Sequence, residues 1–170
     1  MIKAVLLDRD GTINVDKGFV YRSEDFEFLP RAVDAMKSLY DNGYRLFVVT
    51  NQSGIGRGLY TEQDVYGLHV YMLSQLRSYG VIIDGIFYCP HDPSAGCGCR
   101  KPAAGLLEKA ILDFDIDVSR SYMVGDNEKD VEAGRKVGLR TAIVGRHSVL
   151  ADYSCADLYE ASQIILGVKA

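Results

Sequence analysis

Two aspartates, Asp8 and Asp10, stand on either side of Arg9 directly after the apolar run 2–7. Alternate residues of an extended chain share a face, so both carboxylates can point toward one site. Two negative charges this close repel each other unless a cation lies between them or one of them is protonated. Magnesium suits the position because it is a hard cation that takes oxygen ligands. The pair predicts a magnesium site, although an Asp10-Gly11 turn without any function is the simpler alternative.

A second cluster has residue types that bind softer metals. Its pattern is Cys-x-His, five residues, Cys-x-Cys, and its members are Cys89, His91, Cys97 and Cys99. Three thiolates and one imidazole complete a tetrahedral zinc site and leave no position open for water. We therefore predict a structural Zn²⁺ that orders the loop 89–99, with free thiols or a disulfide as the alternatives.

The remaining cysteine and histidines have no predicted role in chemistry. Cys155 stands apart from the cluster and is expected to be a buried thiol. His69 lies in a segment with helical spacing and His147 in a late loop, and neither has a partner in the sequence.

Apolar runs alternate with helix-like segments along the chain, and these elements must position the two clusters. Strands are predicted at 2–7, 44–49, 82–88, 121–124 and 139–144, and helices at 32–40, 61–79, 104–114, 128–137 and 158–168. Such alternation is typical of a parallel sheet with helices on both faces. The prediction is an α/β fold, a Rossmann-like three-layer sandwich with a mainly parallel sheet, formed by residues 1–170 as one domain. No insertion is large enough for a mobile cap domain, so we expect small loops, chiefly residues 15–30, to close the site.

Polar residues follow several predicted strands, at the sheet edge where ligands bind in folds of this type. Thr50 follows the second strand, Lys101 follows the zinc loop, and Asp126 follows the fourth strand. Alone, Thr50 could bond its own backbone and Lys101 could be a solvated surface lysine. Together with Asp8 and Asp10 they predict a site at which a metal and a lysine receive an anionic substrate.

The ordered set of these residues resembles the four motifs of the haloacid dehalogenase superfamily, and the resemblance covers nearly the whole chain. The matching positions are Asp8-Arg9-Asp10-Gly11-Thr12, Thr50, Lys101, Gly125-Asp126 and Asp130. The resemblance implies a phosphatase in which Asp8 is the nucleophile and forms an aspartyl-phosphate. It implies that Asp10 protonates the leaving oxygen and later activates water. Thr50 and Lys101 would hold the phosphoryl oxygens.

The same resemblance implies the magnesium ligands. They would be Asp8, the backbone carbonyl of Asp10, and Asp126. Asp130 comes four residues after Asp126, within the first turn of a predicted helix. We expect it to cap that helix or orient its neighbours rather than to bind the metal.

Within the superfamily, several stretches are similar to the family of D-glycero-D-manno-heptose 1,7-bisphosphate 7-phosphatases. These stretches are residues 8–14, 16–19, 50–58 and 89–102. The similarity implies release of the 7-phosphate from a phosphorylated sugar, in the making of bacterial lipopolysaccharide or surface-layer glycans. It assigns substrate contacts to Asp16, Lys17, Gly18, Phe19, Asn51, Gln52, Ser53, Arg100 and Asn127. Position 127 departs from that family, which often has Lys there.

Arg100 is the candidate cation for the phosphate that stays on the sugar, because its planar fork can meet two phosphate oxygens. A plain surface charge is the alternative for this residue. The histidinol-phosphate phosphatase family shares the zinc loop and the catalytic set, but more often reads Asn-Gln-Asp-Gly where this chain has residues 51–54 as Asn-Gln-Ser-Gly. A third possibility, of another class, is a non-catalytic, zinc-stabilised sugar-phosphate binding protein. The complete catalytic set argues against it.

Composition excludes further classes. The 170 residues carry a net charge of −4 with no basic cluster, which argues against a nucleic-acid binder. No run approaches the roughly 20 apolar residues that a membrane span needs. Residues 1–8 meet a charge too early for a signal peptide. We expect a cytoplasmic monomer without nucleic-acid or membrane partners.

Overall fold

The computed structural model describes residues 1–168, in which six strands alternate with helices. The strands are β1 (Ala4–Leu7), β2 (Arg45–Asn51), β3 (Gly85–Cys89), β4 (Tyr122–Gly125), β5 (Arg140–Val144) and β6 (Tyr153–Cys155). The helices are α1 (Ala32–Asp41), α2 (Ser53–Gly56), α3 (Glu62–Ser78), α4 (Gly105–Phe114), α5 (Glu128–Lys136) and α6 (Leu158–Leu166). The predicted domain ends at 170, and its last two residues lie outside the described range.

All six strands form one parallel sheet in the order β3-β2-β1-β4-β5-β6. Leu6 of β1 lies beside Phe47 of β2 on one side and Met123 of β4 on the other. The strand order reverses direction at β1, and this switch point opens a crevice at the carboxyl ends of the strands. Asp8 leaves the sheet at that crevice.

Each face of the sheet is covered by helices. Val5 and Leu7 point into a core that includes residues of α1 and α6, whereas Ala4 and Leu6 point into a core that includes residues of α4. All four side chains have no exposed surface. Strands buried on both faces must be apolar at every position, which is why β1 reads Ala-Val-Leu-Leu. The predicted three-layer α/β sandwich is confirmed.

The predicted elements match the observed ones, with shifts of a few residues at their ends. The predicted first strand began at Ile2, but this residue forms only a single bridge, to Ile116, and β1 starts at Ala4. The predicted capping pattern of α3 is present: the Thr61 hydroxyl accepts from the Asp64 amide, and the Asp64 carboxylate accepts from the Thr61 amide.

Two short elements were not predicted, namely β6 and the four-residue helix α2. β6 has a polar residue, Ser154, between Tyr153 and Cys155, and it pairs with β5 alone at the edge of the sheet. Among the helices of residues 1–168, none has the length and apolarity that crossing a membrane requires.

Candidate active site

The strand ends converge on a cavity of about 330 Å³, and nearly all the predicted site residues line it. Those that do are Asp8, Asp10, Asp16, Gly18, Phe19, Thr50, Asn51, Gln52, Ser53, Arg100, Lys101, Asp126 and Asn127. Lys17 is the exception, because its side chain lies 3.2 Å from the Glu27 carboxylate and is not part of the cavity wall. The turn presents its neighbours Gly18 and Phe19 to the cavity, and the substrate contact of Lys17 stays a prediction.

Lys101 is buried between two carboxylates. Its Nζ lies 2.8 Å from Asp8 Oδ1 and 2.6 Å from Asp130 Oδ1, and it donates to the Val49 carbonyl at 2.7 Å. Only 2% of its side chain is exposed. Burial alone would lower the pKa of Lys101, but the Asp8 and Asp130 charges raise it above its ordinary value. The lysine is therefore a fixed positive charge next to Asp8.

The Asp8 carboxylate is in a less favourable environment for its charge. Burial raises the pKa of Asp8 to about 8; Lys101 opposes this rise, and the Asp130 and Asp10 carboxylates add to it. An ionised Asp8 at neutral pH thus requires a positive charge in addition to Lys101. The backbone of Asp8 is fixed by the hydrogen bond of its amide to the Val124 carbonyl, at 2.9 Å.

Asn51 holds the backbone from which Lys101 projects. Its Nδ2 donates to the Lys101 carbonyl at 3.1 Å, and its Oδ1 accepts from the Lys101 amide at 3.0 Å. Because both its Nδ2 and its Oδ1 are hydrogen-bonded, the side chain of Asn51 anchors the backbone at Lys101 to β2. Asn51 also lines the cavity, and its substrate contact stays a prediction.

Asp10 accepts hydrogen bonds on both carboxylate oxygens. Arg9 Nη2 lies 3.1 Å from Oδ1 and 3.0 Å from Oδ2, Asn14 Nδ2 lies 3.0 Å from Oδ1, and Gln52 Nε2 lies 3.0 Å from Oδ2. Gln52 also donates to the Thr50 hydroxyl at 2.9 Å and accepts from the Tyr60 hydroxyl at 2.8 Å. Gln52, predicted to bind substrate, therefore fixes the orientation of Asp10 and Thr50.

A set of three carboxylates fits a magnesium ion. One oxygen from each of Asp8, Asp126 and Asp130 lies within 4.8 Å of the others. Burial raises the pKa of Asp126, and the charge of Asp130 raises it further, so a cation would relieve the repulsion. Asp130 is otherwise engaged: Oδ1 meets Lys101, and Oδ2 accepts from the Asn127 amide at 3.1 Å. Both oxygens of Asp130 thus have partners, whereas only Oδ1 of Asp8 meets Lys101, and Asp8 and Asp126 stay the predicted metal ligands.

Gly11 allows Asp126 to approach the turn after β1. Its φ is +82°, a left-handed value that favours glycine, and a Cβ placed there would lie 2.3 Å from Asp126 Oδ2. The glycine that follows Asp10 is therefore needed for the geometry of the metal site, in addition to the turn.

The thiol and imidazole groups of the 89–99 loop form a compact cluster. The Cys89 Sγ lies 3.5 Å from Cys97 Sγ, 3.1 Å from Cys99 Sγ and 3.4 Å from His91 Nδ1. These separations are far too long for a disulfide, whose S–S bond is about 2.05 Å. They approach the roughly 3.7 Å between ligands of a tetrahedral zinc with bonds of about 2.3 Å. Burial raises the pKa of the Cys89 thiol to about 12, so its thiolate form requires a cation beside it.

A second wall of the cavity is cationic. Arg100 lines it, and its Nη1 is buried without a hydrogen-bond partner among the described residues. Asn127 begins α5, where its side chain accepts from the Lys129 amide at 3.2 Å, and the exposed Lys129 side chain lines the same cavity. The positions of Arg100 and Lys129 suit a second anionic group on a ligand whose first group reaches Asp8.

Comparisons with known proteins agree with this arrangement. Residues 98–159 match the family described as HAD-hydrolase-like. A D-glycero-beta-D-manno-heptose-1,7-bisphosphate 7-phosphatase of Haemophilus ducreyi is 47% identical over 151 residues, which are 85% of this chain and 83% of that protein. The chain belongs to the heptose-1,7-bisphosphate 7-phosphatase family. A D-glycero-alpha-D-manno-heptose-1,7-bisphosphate 7-phosphatase of Campylobacter jejuni is 46% identical, with 84% of this chain and 81% of that protein covered.

A solved structure of the same family has nearly the same fold. The D,D-heptose 1,7-bisphosphate phosphatase from B. bronchiseptica, complexed with magnesium and phosphate, gives a TM-score of 0.92 at 30% identity. The match covers 99% of this chain and 100% of that one. The resemblance to the haloacid dehalogenase superfamily, drawn above from the motifs, is confirmed.

Five residues near the site were given no role from the sequence: Arg9, Asn14, Tyr60, His69 and Lys129. Alternation along an extended strand places Arg9 opposite Asp8 and Asp10, so nothing in the pattern indicates that its guanidinium bends back to Asp10. His69 and Tyr60 reach the site from α3 and the segment before it, which only the tertiary fold brings there. Lys129 had a weak signal, since it lies in the first turn of a predicted helix, two residues after Asn127, which was predicted to contact substrate.

Proposed function

We propose that this protein hydrolyses the 7-phosphate of D-glycero-D-manno-heptose 1,7-bisphosphate in bacterial heptose biosynthesis, for lipopolysaccharide core or surface glycan. The observation that carries the proposal is one cavity in which Asp8 lies beside the buried Lys101. Arg100 lines the same cavity, and its Nη1 has no hydrogen-bond partner within residues 1–168. Family membership supports the same reaction. Relatives of nearly equal identity carry beta and alpha names, so both anomers are candidate substrates.

The first half-reaction transfers the phosphoryl group to the protein. A carboxylate oxygen of Asp8 attacks phosphorus, and the bond between phosphorus and O7 of the sugar breaks. Asp10 gives its proton to O7 as this bond breaks, so the sugar leaves as an alcohol that still carries its 1-phosphate. Lys101 and the Thr50 hydroxyl stabilise the charge on the phosphoryl oxygens.

The second half-reaction restores the enzyme. Asp10, now ionised, takes a proton from water while the water oxygen attacks phosphorus. The bond between phosphorus and Asp8 breaks, inorganic phosphate leaves, and the carboxylate of Asp8 and the proton of Asp10 are both regenerated. Asp10 serves as an acid in the first step, in which it gives up a proton, and as a base in the second step, in which it takes one up.

Two metals complete the proposal. Asp8, Asp126 and the backbone carbonyl of Asp10 would hold Mg²⁺, which when bound offsets the charge between the carboxylate and the phosphate. Cys89, His91, Cys97 and Cys99 would hold a structural Zn²⁺. The 89–99 loop leads directly into Arg100 and Lys101, so the zinc would fix the segment from which both cations project.

The retained phosphate distinguishes the candidate substrates. Histidinol phosphate has one phosphate and carries no second phosphate for Arg100 and Lys129 to bind. A heptose bisphosphate has that second phosphate on C1. The cationic wall therefore favours the bisphosphate as the substrate. The complete catalytic set argues against a non-catalytic binding protein.

A parallel assay tests this function. Phosphate release with Mg²⁺ should be much faster from the heptose bisphosphate anomers than from histidinol phosphate, and Asp8→Asn should abolish it. A preference for histidinol phosphate would refute the substrate, and turnover by the Asp8→Asn variant would refute the nucleophile. The cytoplasmic location, the monomeric state, the single domain of residues 1–170 and the absence of nucleic-acid partners stay predictions.

A further inference from the structure

His69 lies behind the active site, where the proposed mechanism does not use it. It belongs to α3, is only 6% exposed, and its Nε2 lies 3.1 Å from Arg9 Nη1. Arg9 itself has no exposed surface. His69 and Arg9 are thus both buried and in direct contact. This contact determines which of the two side chains donates the hydrogen bond.

The hydrogen bond between Arg9 and His69 can have only one donor. The guanidinium of Arg9 has donors and no acceptor, so His69 Nε2 must accept, and the ring must be neutral with its proton on Nδ1. The burial of His69 and the charge of Arg9 favour this neutral form, lowering the pKa of the imidazole to about 3. His69 is therefore an acceptor throughout the neutral pH range.

Arg9 uses its other nitrogen to hold Asp10. Its Nη2 donates to the Val20 carbonyl at 2.6 Å and to both oxygens of Asp10, at 3.1 and 3.0 Å. The His69 contact fixes the opposite arm of the same planar group. A rotation of the guanidinium that broke the Asp10 contact would also break the contacts with His69 and Val20.

We propose that His69 is a positioning residue that holds Asp10, through Arg9, in the orientation for protonating the leaving oxygen. The inference rests on the proposed function, because it needs Asp10 to be the general acid. It adds a residue from α3 that is 60 positions from Arg9 along the chain. The structural alternative is that His69 only fills space beneath the site.

The leaving group separates these two roles. A sugar alkoxide leaves only if it is protonated, whereas p-nitrophenolate is stable enough to leave without an acid. The parameter kcat/KM reports steps up to phosphoryl transfer to Asp8, so it excludes the later use of Asp10 as a base. We would measure it for heptose bisphosphate and for p-nitrophenyl phosphate with wild type, His69→Leu, His69→Gln and Asp10→Asn.

His69→Leu should lower kcat/KM for the sugar phosphate at least tenfold more than for p-nitrophenyl phosphate. His69→Gln retains an acceptor and should recover most of the loss, whereas Asp10→Asn should show a larger difference between the two substrates. Equal losses on both substrates in His69→Leu would overturn the proposal. Should that variant fail to fold, His69→Ala is the second test, with the same expectation.

The failure of the proposed function would give another result. Wild type that releases no phosphate from the sugar while it hydrolyses p-nitrophenyl phosphate would contradict the substrate. Equal losses on both substrates in Asp10→Asn would contradict the acid role of Asp10 and with it the role of His69.

Discussion

Lys101 determines what Asp8 can do. The lysine is buried at 2% exposure and its three donors meet Asp8, Asp130 and the Val49 carbonyl, so it cannot swing away into solvent. It lies beside Asp8, the proposed nucleophile, before any substrate arrives, so its charge would need no reorganisation during phosphoryl transfer. Arg100 differs, because its buried Nη1 has no partner in the described part of the chain and is available to a ligand.

Arg100→Ala should therefore weaken the use of a bisphosphate. A charged hydrogen bond contributes about 1.5–3 kcal/mol, so we expect kcat/KM for heptose bisphosphate to fall about 10- to 100-fold. The value for p-nitrophenyl phosphate, which has no second phosphate, should change little. Arg77→Ala is the matched control, since it removes the same charge from an exposed position on α3. Equal losses on both substrates would show that Arg100 does not bind the second phosphate.

The sequence was sufficient to predict residues whose role depends on their type and order. Asp8, Asp126 and Lys101 follow strand ends or the 89–99 loop, and all three line one cavity. Asn51 and Gln52 were expected to touch substrate; both line the cavity, and the structure adds that they hold Lys101 and Asp10 in place. The sequence pattern indicates that these amide side chains lie near the site. Only the tertiary structure shows that their hydrogen-bonding groups already have partners in the protein.

At the scale of elements, the turn after β1 connects the nucleophile to the metal site. Gly11 takes a left-handed φ there and leaves room for Asp126 from the end of β4. The turn thus brings two strand ends closer than any residue with a Cβ would allow.

Gly11→Ala should damage the metal site more than the fold. The left-handed backbone costs about 1–2 kcal/mol for a residue with a Cβ, and the added methyl also displaces the Asp126 carboxylate. We expect the Mg²⁺ concentration for half-maximal activity to rise at least tenfold. Gly138→Ala is the control, because its φ is +80° while the nearest atom to its Cβ would be 3.9 Å away. A similar rise in both variants would mean that backbone strain, not contact with Asp126, is responsible.

The 89–99 loop is the second element on which the site depends. Cys97→Ser should reduce bound zinc in the purified protein, increase hydrogen exchange over residues 89–101 and lower kcat/KM, because Arg100 and Lys101 follow the loop. Cys155→Ser alters a thiol outside the cluster and should leave the zinc content unchanged. Wild type purified without any zinc, yet with a protected loop, would contradict the structural-zinc proposal.

At the scale of the whole molecule, the parallel sheet was predictable and its edge was not. Long apolar runs bounded by glycine and polar turns specify central strands such as β1 and β2. The three-residue strand β6 has no such run, and it pairs with β5 alone at the edge of the sheet. Three cations, Arg100, Lys101 and Lys129, line the cavity beside five aspartates, so an anionic substrate would need a bound metal cation there as well.

Global stability should depend on pH through His69. Its pKa falls from 6.5 in the unfolded chain to about 3 in the fold, so the unfolded state binds more protons between these values. Stability is then highest above pH 6.5 and is lost as the pH falls, by about 2 kcal/mol at pH 5 from this residue. Urea unfolding of wild type and His69→Gln at pH 7 and pH 5 would measure it. The prediction is wrong if the free energy of unfolding falls by the same amount from pH 7 to pH 5 in both proteins.

The central claim is that one phosphate, on C7, is removed by Asp8 while the other stays bound to the sugar. The most direct test follows heptose 1,7-bisphosphate by phosphorus NMR with Mg²⁺ and the purified protein. We predict that the C7 monoester signal disappears, inorganic phosphate appears in equal amount, and the C1 signal persists, with no change in the Asp8→Asn variant. Loss of the C1 signal first, or turnover by Asp8→Asn, would contradict the account.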